Sequence, residues 1–267
     1  MSYRTALAEV LSTVVGPAAA PVGAESRFPR ASVTALGRAG LLGLTVSTEF
    51  GGAGGGLPEA AEVVARTARL CPATAAVLQS HYAAVAVVES HGGAWIRGEI
   101  AAGRHLVSLA LAEDGPGPRG LPGEFWAARS TAVRTGDVVA LRARKHQVVA
   151  AGEADSYIWS SRPLTASEGL TLWAVPAHAP DLYVPARPDG AGPGGSATST
   201  VVADPVLVPA DVMLGQDGAG LDIVLRTVVP WMLELRAAAG AETIGPAGSD
   251  VLLRAAPQQA ADSLAAS

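Results

Sequence analysis

Cysteine, lysine and aromatic residues are scarce in this 267-residue sequence, and each shortage excludes a class of structure or function. The single cysteine, Cys71, excludes an intrachain disulfide framework and a Cys-x-x-Cys metal motif, and it fits a reducing cytoplasm. The single lysine, Lys145, and a net charge of −5 argue against a nucleic-acid protein, which needs a basic face. Aromatic residues are only 4%, so we expect a core of Ala, Val and Leu.

Long hydrophobic runs are also missing, although hydrophobic residues make up 49% of the chain. Every apolar run is broken by charge, Gly or Pro before about 18 residues, which predicts no membrane-spanning segment. The opening stretch MSYRTALAEV has no apolar h-region, so no signal peptide is predicted. With 16% charged residues, these features indicate a globular cytoplasmic protein with a sizeable core.

Helical periodicity dominates residues 1–104, which we interpret as an N-terminal helical domain. The amphipathic stretch RTALAEVLSTVVG is predicted to end at Gly16, a residue suited to a helix C-cap. The stretch PATAAVLQSHYAAVAVVESHG is long and apolar nearly all round, which is typical of the central helix of a bundle.

From about His105 the pattern changes to short β-branched or alternating runs separated by Gly, Pro and Asp. This pattern predicts a β-barrel or sandwich domain over residues 105–215. Helix returns over 216–246, with a kink expected at Pro230, and 247–267 is expected to be a disordered tail. The predicted fold class is therefore α+β: an N-terminal helical bundle, a small antiparallel β-barrel or sandwich domain, and one C-terminal helix.

Five motifs follow one another between Phe28 and Gly245 in a fixed order. They are GLLGLTVSTEFGGAGGGLPEA, LAEDGPGP, RKHQVVAAGEAD, VLVPADVMLGQDGAGLDIVL and LRAAAGAETIG. In this order they resemble the acyl-CoA dehydrogenase family, in which LAEDGPGP corresponds to T-E-P-G-A-G-S. The resemblance implies an acyl cavity between the helical and β domains, and a flavin site on the β domain.

The sequence departs from that family at the positions which the resemblance assigns to flavin contacts. A Thr of the family falls on Ala112, the Ser that bonds the pyrophosphate falls on Pro118, the covering Trp on Gln147, and a second Thr on Val149. Several lost contacts, at about 1 kcal/mol each, predict that FAD is not retained. The family's second helical bundle is also expected to be represented only by its first helix.

Three residues of the β domain are candidates for catalysis. Glu113 and Asp114 lie at a predicted strand end and suit acid/base chemistry, or equally the bonding of local N–H groups in a turn. Strand alternation is expected to place Gln147 on the pocket-facing side together with Lys145 and Val149. There its amide would bond a substrate carbonyl, unless it merely faces solvent.

A fourth candidate lies on the C-terminal helix. The resemblance places the family's base at Leu235 and its conserved Arg at Arg236, so Glu234 is one residue, or about 100°, away from the base position. The alternative for Glu234 is an exposed carboxylate or a partner of Arg236.

Substrate binding is assigned to residues expected near the acyl cavity: His81, Tyr82, Trp159, Trp231 and Arg236. For each of them packing in the core is the competing interpretation. Neither a Ser-His-Asp arrangement nor a metal-ligand cluster is recognised, so we expect no metal.

The function hypothesis that follows is a flavin-free enzyme that cyclises or isomerises a hydrophobic, polyketide-like metabolite in a natural-product pathway. The first alternative is an FAD-dependent acyl-thioester dehydrogenase completed by a partner subunit, and the second is a non-catalytic binding or scaffold protein. A hydrophobic small molecule is the expected partner, with no nucleic acid and no membrane insertion. A homodimer is also expected, because β-domain surface that the family covers would be exposed.

Overall fold

The computed structural model describes residues 2–25, 27–113, 129–185 and 194–240. Asp114, Pro118 and the predicted tail over 247–267 lie outside the described residues. The helices of the described part are α1 (Tyr3–Val10), α2 (Gly16–Glu25), α3 (Arg30–Arg38), α4 (Leu57–Ala68), α5 (Pro72–His91), α6 (Ala94–Ala101), α7 (Gly220–Ile223) and α8 (Val229–Ala239). Within these residues, none of the helices is both long and apolar enough to cross a membrane.

The first helix does not end at Gly16, so that prediction was wrong. Gly16 has φ −59° and ψ −53°, and a wide π-helical turn at Leu11–Val15 joins α1 to α2 in one continuous rod. The turn ends two residues before Pro17, whose ring would clash with the carbonyl four residues back in a regular α-helix. A wide turn relieves that clash without ending the helix.

The same device occurs at the C-terminal helix. A second π-helical turn, Val224–Val228, lies between α7 and α8 and ends two residues before Pro230. The helix thus continues through the expected kink site from Gly220 to Ala239, and α8 packs against α4 and α5.

Helix α5 lies at the centre of the helical region, as its apolar pattern indicates. Its residues from Ala73 to Val88 are all buried, and the helix packs against α4, α8 and the first strand.

The strands are β1 (Val107–Ala110), β2 (Thr131–Thr135), β3 (Val138–Val148), β4 (Ser156–Ser161), β5 (Thr171–Pro176), β6 (Leu182–Tyr183), β7 (Ser199–Pro209) and β8 (Met213–Leu214). They form two four-stranded sheets with the orders β1-β4-β5-β8 and β2-β3-β7-β6. The predicted α+β class is confirmed. Among the described residues the strands form two open sheets and no closed barrel.

One pair of strands corrects the prediction of a purely antiparallel domain. Strands β1 and β4 are parallel, from Val107 opposite Ser156 to Ala110 opposite Trp159, whereas the other strand pairs are antiparallel. A parallel pair needs a long connection, and the chain between β1 and β4 supplies it by building β2 and β3 of the other sheet on the way.

Candidate functional site

A buried ion pair lies where the chain leaves β1. The Glu113 carboxylate accepts hydrogen bonds from Lys145 Nζ, from the Ser130 hydroxyl, and from the backbone N–H groups of Arg129 and Ser130. Lys145 lies on β3, has no exposed side-chain surface, and also donates to Ser160 Oγ on β4 at 2.7 Å. The pair therefore links the end of β1 to β3 and β4.

The environment of this pair shows what the predicted acid/base residue does. Burial lowers the pKa of Lys145 to about 8, although the nearby Glu113 carboxylate opposes that shift. Four donors approach the Glu113 carboxylate, and a carboxylate has about four acceptor sites. Its acceptor capacity is thus used within the protein, and the geometry supports a structural role. That the chain's only lysine occurs in a β-rich run was the one sequence signal for a buried partner.

Gln147 does not share a face with Lys145, so the predicted alternation was wrong. The register of β3 against β7 shifts between Lys145 and Val148, and Gln147 lies in this bulge with φ +53°. Lys145 and Val148, three residues apart, are both fully buried, while Gln147 and Val149 are half-buried. The extra residue of a bulge changes the two-residue period of the strand and re-aims the side chain that it carries.

The described positions that the resemblance assigns to flavin contacts lack the side-chain groups which those contacts would use. Ala112 has no hydroxyl, and its carbonyl accepts the N–H of His146 at 2.9 Å. The carbonyl of Val149 accepts the Ser108 hydroxyl at 2.6 Å. The Gln147 amide has no hydrogen bond to any described residue, and it offers no ring for stacking. A half-buried, unbonded amide is what this region presents instead.

His81 and Tyr82 lie on α5, where they are fully buried and bonded to the backbone. His81 Nε2 donates to the Leu42 carbonyl at 3.0 Å, and its Nδ1 accepts the N–H of Val107 at 3.2 Å. Tyr82 donates to the Leu41 carbonyl at 2.6 Å. Burial lowers the pKa of His81 to about 4 and raises the pKa of Tyr82. Both side chains tie α5 to its surroundings, and this use of their polar atoms favours an architectural role.

The remaining predicted residues lie in two places. Trp159, on β4, is fully buried beside the ion pair, with its ring centroid 5.4 Å from Lys145 Nζ and its indole N–H unpaired. Trp231 and Arg236 are half-buried on α8, and burial lowers the pKa of Arg236. Glu234 is exposed and the adjacent Leu235 is fully buried, so α8 keeps the phase that turns Glu234 away from the core.

Asp217 is an organising residue that the sequence reasoning missed. Its carboxylate accepts the backbone N–H groups of Leu164, Thr165 and Ala166 and the Thr171 hydroxyl, at 2.6–3.0 Å. Burial raises the pKa of Asp217, but these hydrogen bonds outweigh it and the net pKa is lowered. Asp217 holds the β4–β5 connection, and its place between glycines in LGQDGAG was the available signal. In the described ranges, no group of three or more His, Cys, Asp and Glu is arranged to hold a metal.

Comparison with known proteins shows which proteins this chain is similar to. Residues 2–100 match the family model described as acyl-CoA dehydrogenase, N-terminal domain. The short-chain specific acyl-CoA dehydrogenase of Clostridium acetobutylicum is 25% identical over 232 residues, which are 84% of this chain and 60% of that protein. The human mitochondrial short-chain specific enzyme is 28% identical over 220 residues, which are 79% of this chain and 52% of that protein. The chain thus spans between half and two thirds of these relatives.

A solved structure agrees over the same region. FkbI, described as acting in biosynthesis of the methoxymalonyl extender unit of the Fk520 polyketide immunosuppressant, is 25% identical with a TM-score of 0.75. The similarity covers 87% of this chain and 64% of FkbI. By the match of its N-terminal domain, by its relatives and by its fold, the chain is similar to the acyl-CoA dehydrogenase family over most of its length.

Proposed function

We propose that the chain is a flavin-independent enzyme that cyclises or isomerises a hydrophobic, polyketide-like metabolite. The observation that carries the proposal is the side-chain set Ala112, Gln147 and Val149, which supplies neither the hydroxyls nor the stacking ring that the family resemblance assigns to a flavin. The region presents the half-buried amide of Gln147 in their place.

The amide suits a positioning role. Gln147 offers two N–H donors and one carbonyl acceptor, and the bulge at the end of β3 sets the direction of its side chain. An amide does not transfer a proton at neutral pH, so its contribution is to bind and orient a substrate carbonyl. Holding a flexible apolar chain in a reactive shape lowers the barrier to ring closure or rearrangement through the entropy term. Neither reaction class needs an electron acceptor.

The substrate class is supported by one relative. FkbI, whose similarity covers most of this chain, is described as a polyketide biosynthesis protein. A polyketide-like substrate is apolar, with a few carbonyl groups, and a mostly apolar cleft with few polar contacts suits such a molecule.

The visible spectrum of the purified protein is the first test. We expect no flavin absorbance as purified and no stoichiometric flavin after incubation with FAD and removal of the excess. Incubation with the late intermediate of the pathway encoded beside the gene should then yield a product of unchanged mass. A yellow protein with stoichiometric flavin would contradict the proposal.

A second candidate is an FAD-dependent acyl-thioester dehydrogenase completed by a partner subunit. It is favoured by the relatives' names and by the 52–60% of their length that the chain spans. It predicts copurification with a helical-bundle protein, flavin absorbance on mixing, and a product lacking two hydrogens. Stable binding to an enzyme or carrier protein with no product in either assay would instead favour a non-catalytic binding protein.

A further inference from the structure

The outer face of the β2-β3-β7-β6 sheet is an exposed apolar surface. Six large hydrophobic side chains are exposed in the described part of the chain, and four of them belong to this sheet: Val133, Val138, Tyr183 and Leu207. Leu207 is 62% exposed and Val133 is 60% exposed, so no described element covers them. Monomeric proteins rarely gather exposed apolar groups on one face unless the face binds something.

The strand register places Val133, Val138 and Leu207 close together around Ala140, whereas Tyr183, opposite Val202, lies at the Arg144 end of the same face. Val133, Ala140 and Leu207 are directly opposite one another on β2, β3 and β7, and they make a lateral apolar row. On the other face of β3 and β7, Val139, Leu141, Val206 and Val208 are fully buried. The inward face of the sheet packs in the hydrophobic core. The outward face also carries apolar side chains, although they do not contribute to that core.

The net charges at the two ends of the face are opposite in sign. Arg142 and Arg144 follow Ala140 along β3, and Arg142 pairs with Asp204 at 3.3 Å. Arg144 has no ion pair with a described residue. The other end carries Asp137 in the β2–β3 turn and Asp211 just past β7, both exposed, and the Arg134 guanidinium lies 4.0 Å from Asp137.

We propose that this face binds a second copy of the chain in a two-fold dimer. A two-fold axis along the row Val133–Ala140–Leu207 packs the apolar rows of two copies on each other with their strands antiparallel. It turns the Arg144 end of one copy toward the Asp137 end of the other. With about 3.4 Å per residue, Arg144 lies roughly 14 Å and Asp137 roughly 10 Å from the row, on opposite sides. The face is thus complementary to itself in charge and in apolarity, as an isologous interface requires.

Sedimentation of the full chain tests the surface. We expect a dimer at about 10 μM, and we expect Leu207→Asp or Val133→Asp to weaken the dimer more than about tenfold, because a charge would be buried in the apolar row. Both side chains are exposed, so circular dichroism should show unchanged folding. Trp95→Asp is the matched control, because Trp95 is 72% exposed and lies on α6, outside the face. This change should leave the mass of the sedimenting dimer unchanged.

Exchanging the charges of Arg144 and Asp137 tests the position of the two-fold axis. Arg144→Asp and Asp137→Arg should each weaken the dimer several-fold, and the double variant should restore it. A protein monomeric up to about 100 μM, or a dimer weakened by Trp95→Asp and insensitive to Leu207→Asp, would overturn the proposal. A dimer that the double variant does not restore would overturn this two-fold arrangement. The proposal is independent of the reaction, since neither flavin content nor product mass enters its test.

Discussion

The ammonium group of Lys145 is bonded to the carboxylate of Glu113 inside the β domain, across 32 residues of sequence. Ser130 and Ser160 bond the two charged groups from either side, so the pair lies in a network of short polar contacts. A residue predicted to act in catalysis is thereby committed to holding three strands together.

Removing one member of this pair should destabilise the fold strongly. Lys145→Met or Glu113→Gln leaves a buried charge without its partner, which costs about 3–5 kcal/mol in the free energy of unfolding. Urea titration measures the loss. Arg142→Ala breaks the exposed pair with Asp204 and serves as the control, with an expected loss below about 1 kcal/mol. Equal losses in the two experiments would contradict a buried ion pair.

His81 should make stability fall on acidification. Its folded pKa of about 4 lies below its ordinary value of 6.5, so between these values the unfolded chain binds the proton and the folded chain does not. Stability is fully present above pH 6.5 and is lost as the pH falls toward 4, by on the order of 3 kcal/mol. Urea midpoints of the wild type and of His81→Asn across this range isolate the contribution. If the urea midpoints of the two proteins changed in parallel with pH, His81 would not be the source of the acid sensitivity.

Gln147→Gly should separate function from stability. Glycine adopts the observed φ of +53° without strain but is more flexible when unfolded, so the free energy of unfolding should change by less than about 1 kcal/mol. Turnover by the proposed reaction should fall roughly tenfold, because the orienting amide is lost. Ala150→Gly is the matched control, since Ala150 also has a positive φ, of +55°, and carries no polar group. Unchanged turnover in Gln147→Gly would remove Gln147 from the site.

Asp217→Ala should loosen the connection between β4 and β5. The amides of Leu164, Thr165 and Ala166 lose their common acceptor, so their hydrogen exchange should accelerate roughly tenfold or more. Exchange of amides in α5 should not change. Because the pKa of Asp217 is lowered in the folded chain, its stabilising contribution is present at neutral pH and is lost as the pH falls below its ordinary value of 3.8. Uniform acceleration over the whole chain would mean that Asp217 supports global stability instead.

The order of helices and strands could be read from the sequence because it depends on local periodicity. The all-round apolar pattern of Ala73–Val88 predicted a buried central helix, and the change of pattern near His105 marked the start of the strands. The family resemblance rests on short motifs in a fixed order, which are also local. These features need no knowledge of what each segment packs against.

Tertiary structure alone decided the contacts between distant segments. The bulge at Gln147 depends on the register of β3 against β7, so strand alternation assigned the wrong face to a residue two positions from Lys145. The hydrogen-bond partners of Glu113 lie 16 to 32 positions from it along the chain, and the parallel pairing of β1 with β4 joins Val107 to Ser156. The sequence by itself determined which segments are helical, extended or buried, because hydrophobic periodicity depends only on residues that are close together in the sequence. Only the folded chain determined which polar groups remain available, because that depends on what every other segment has already bonded.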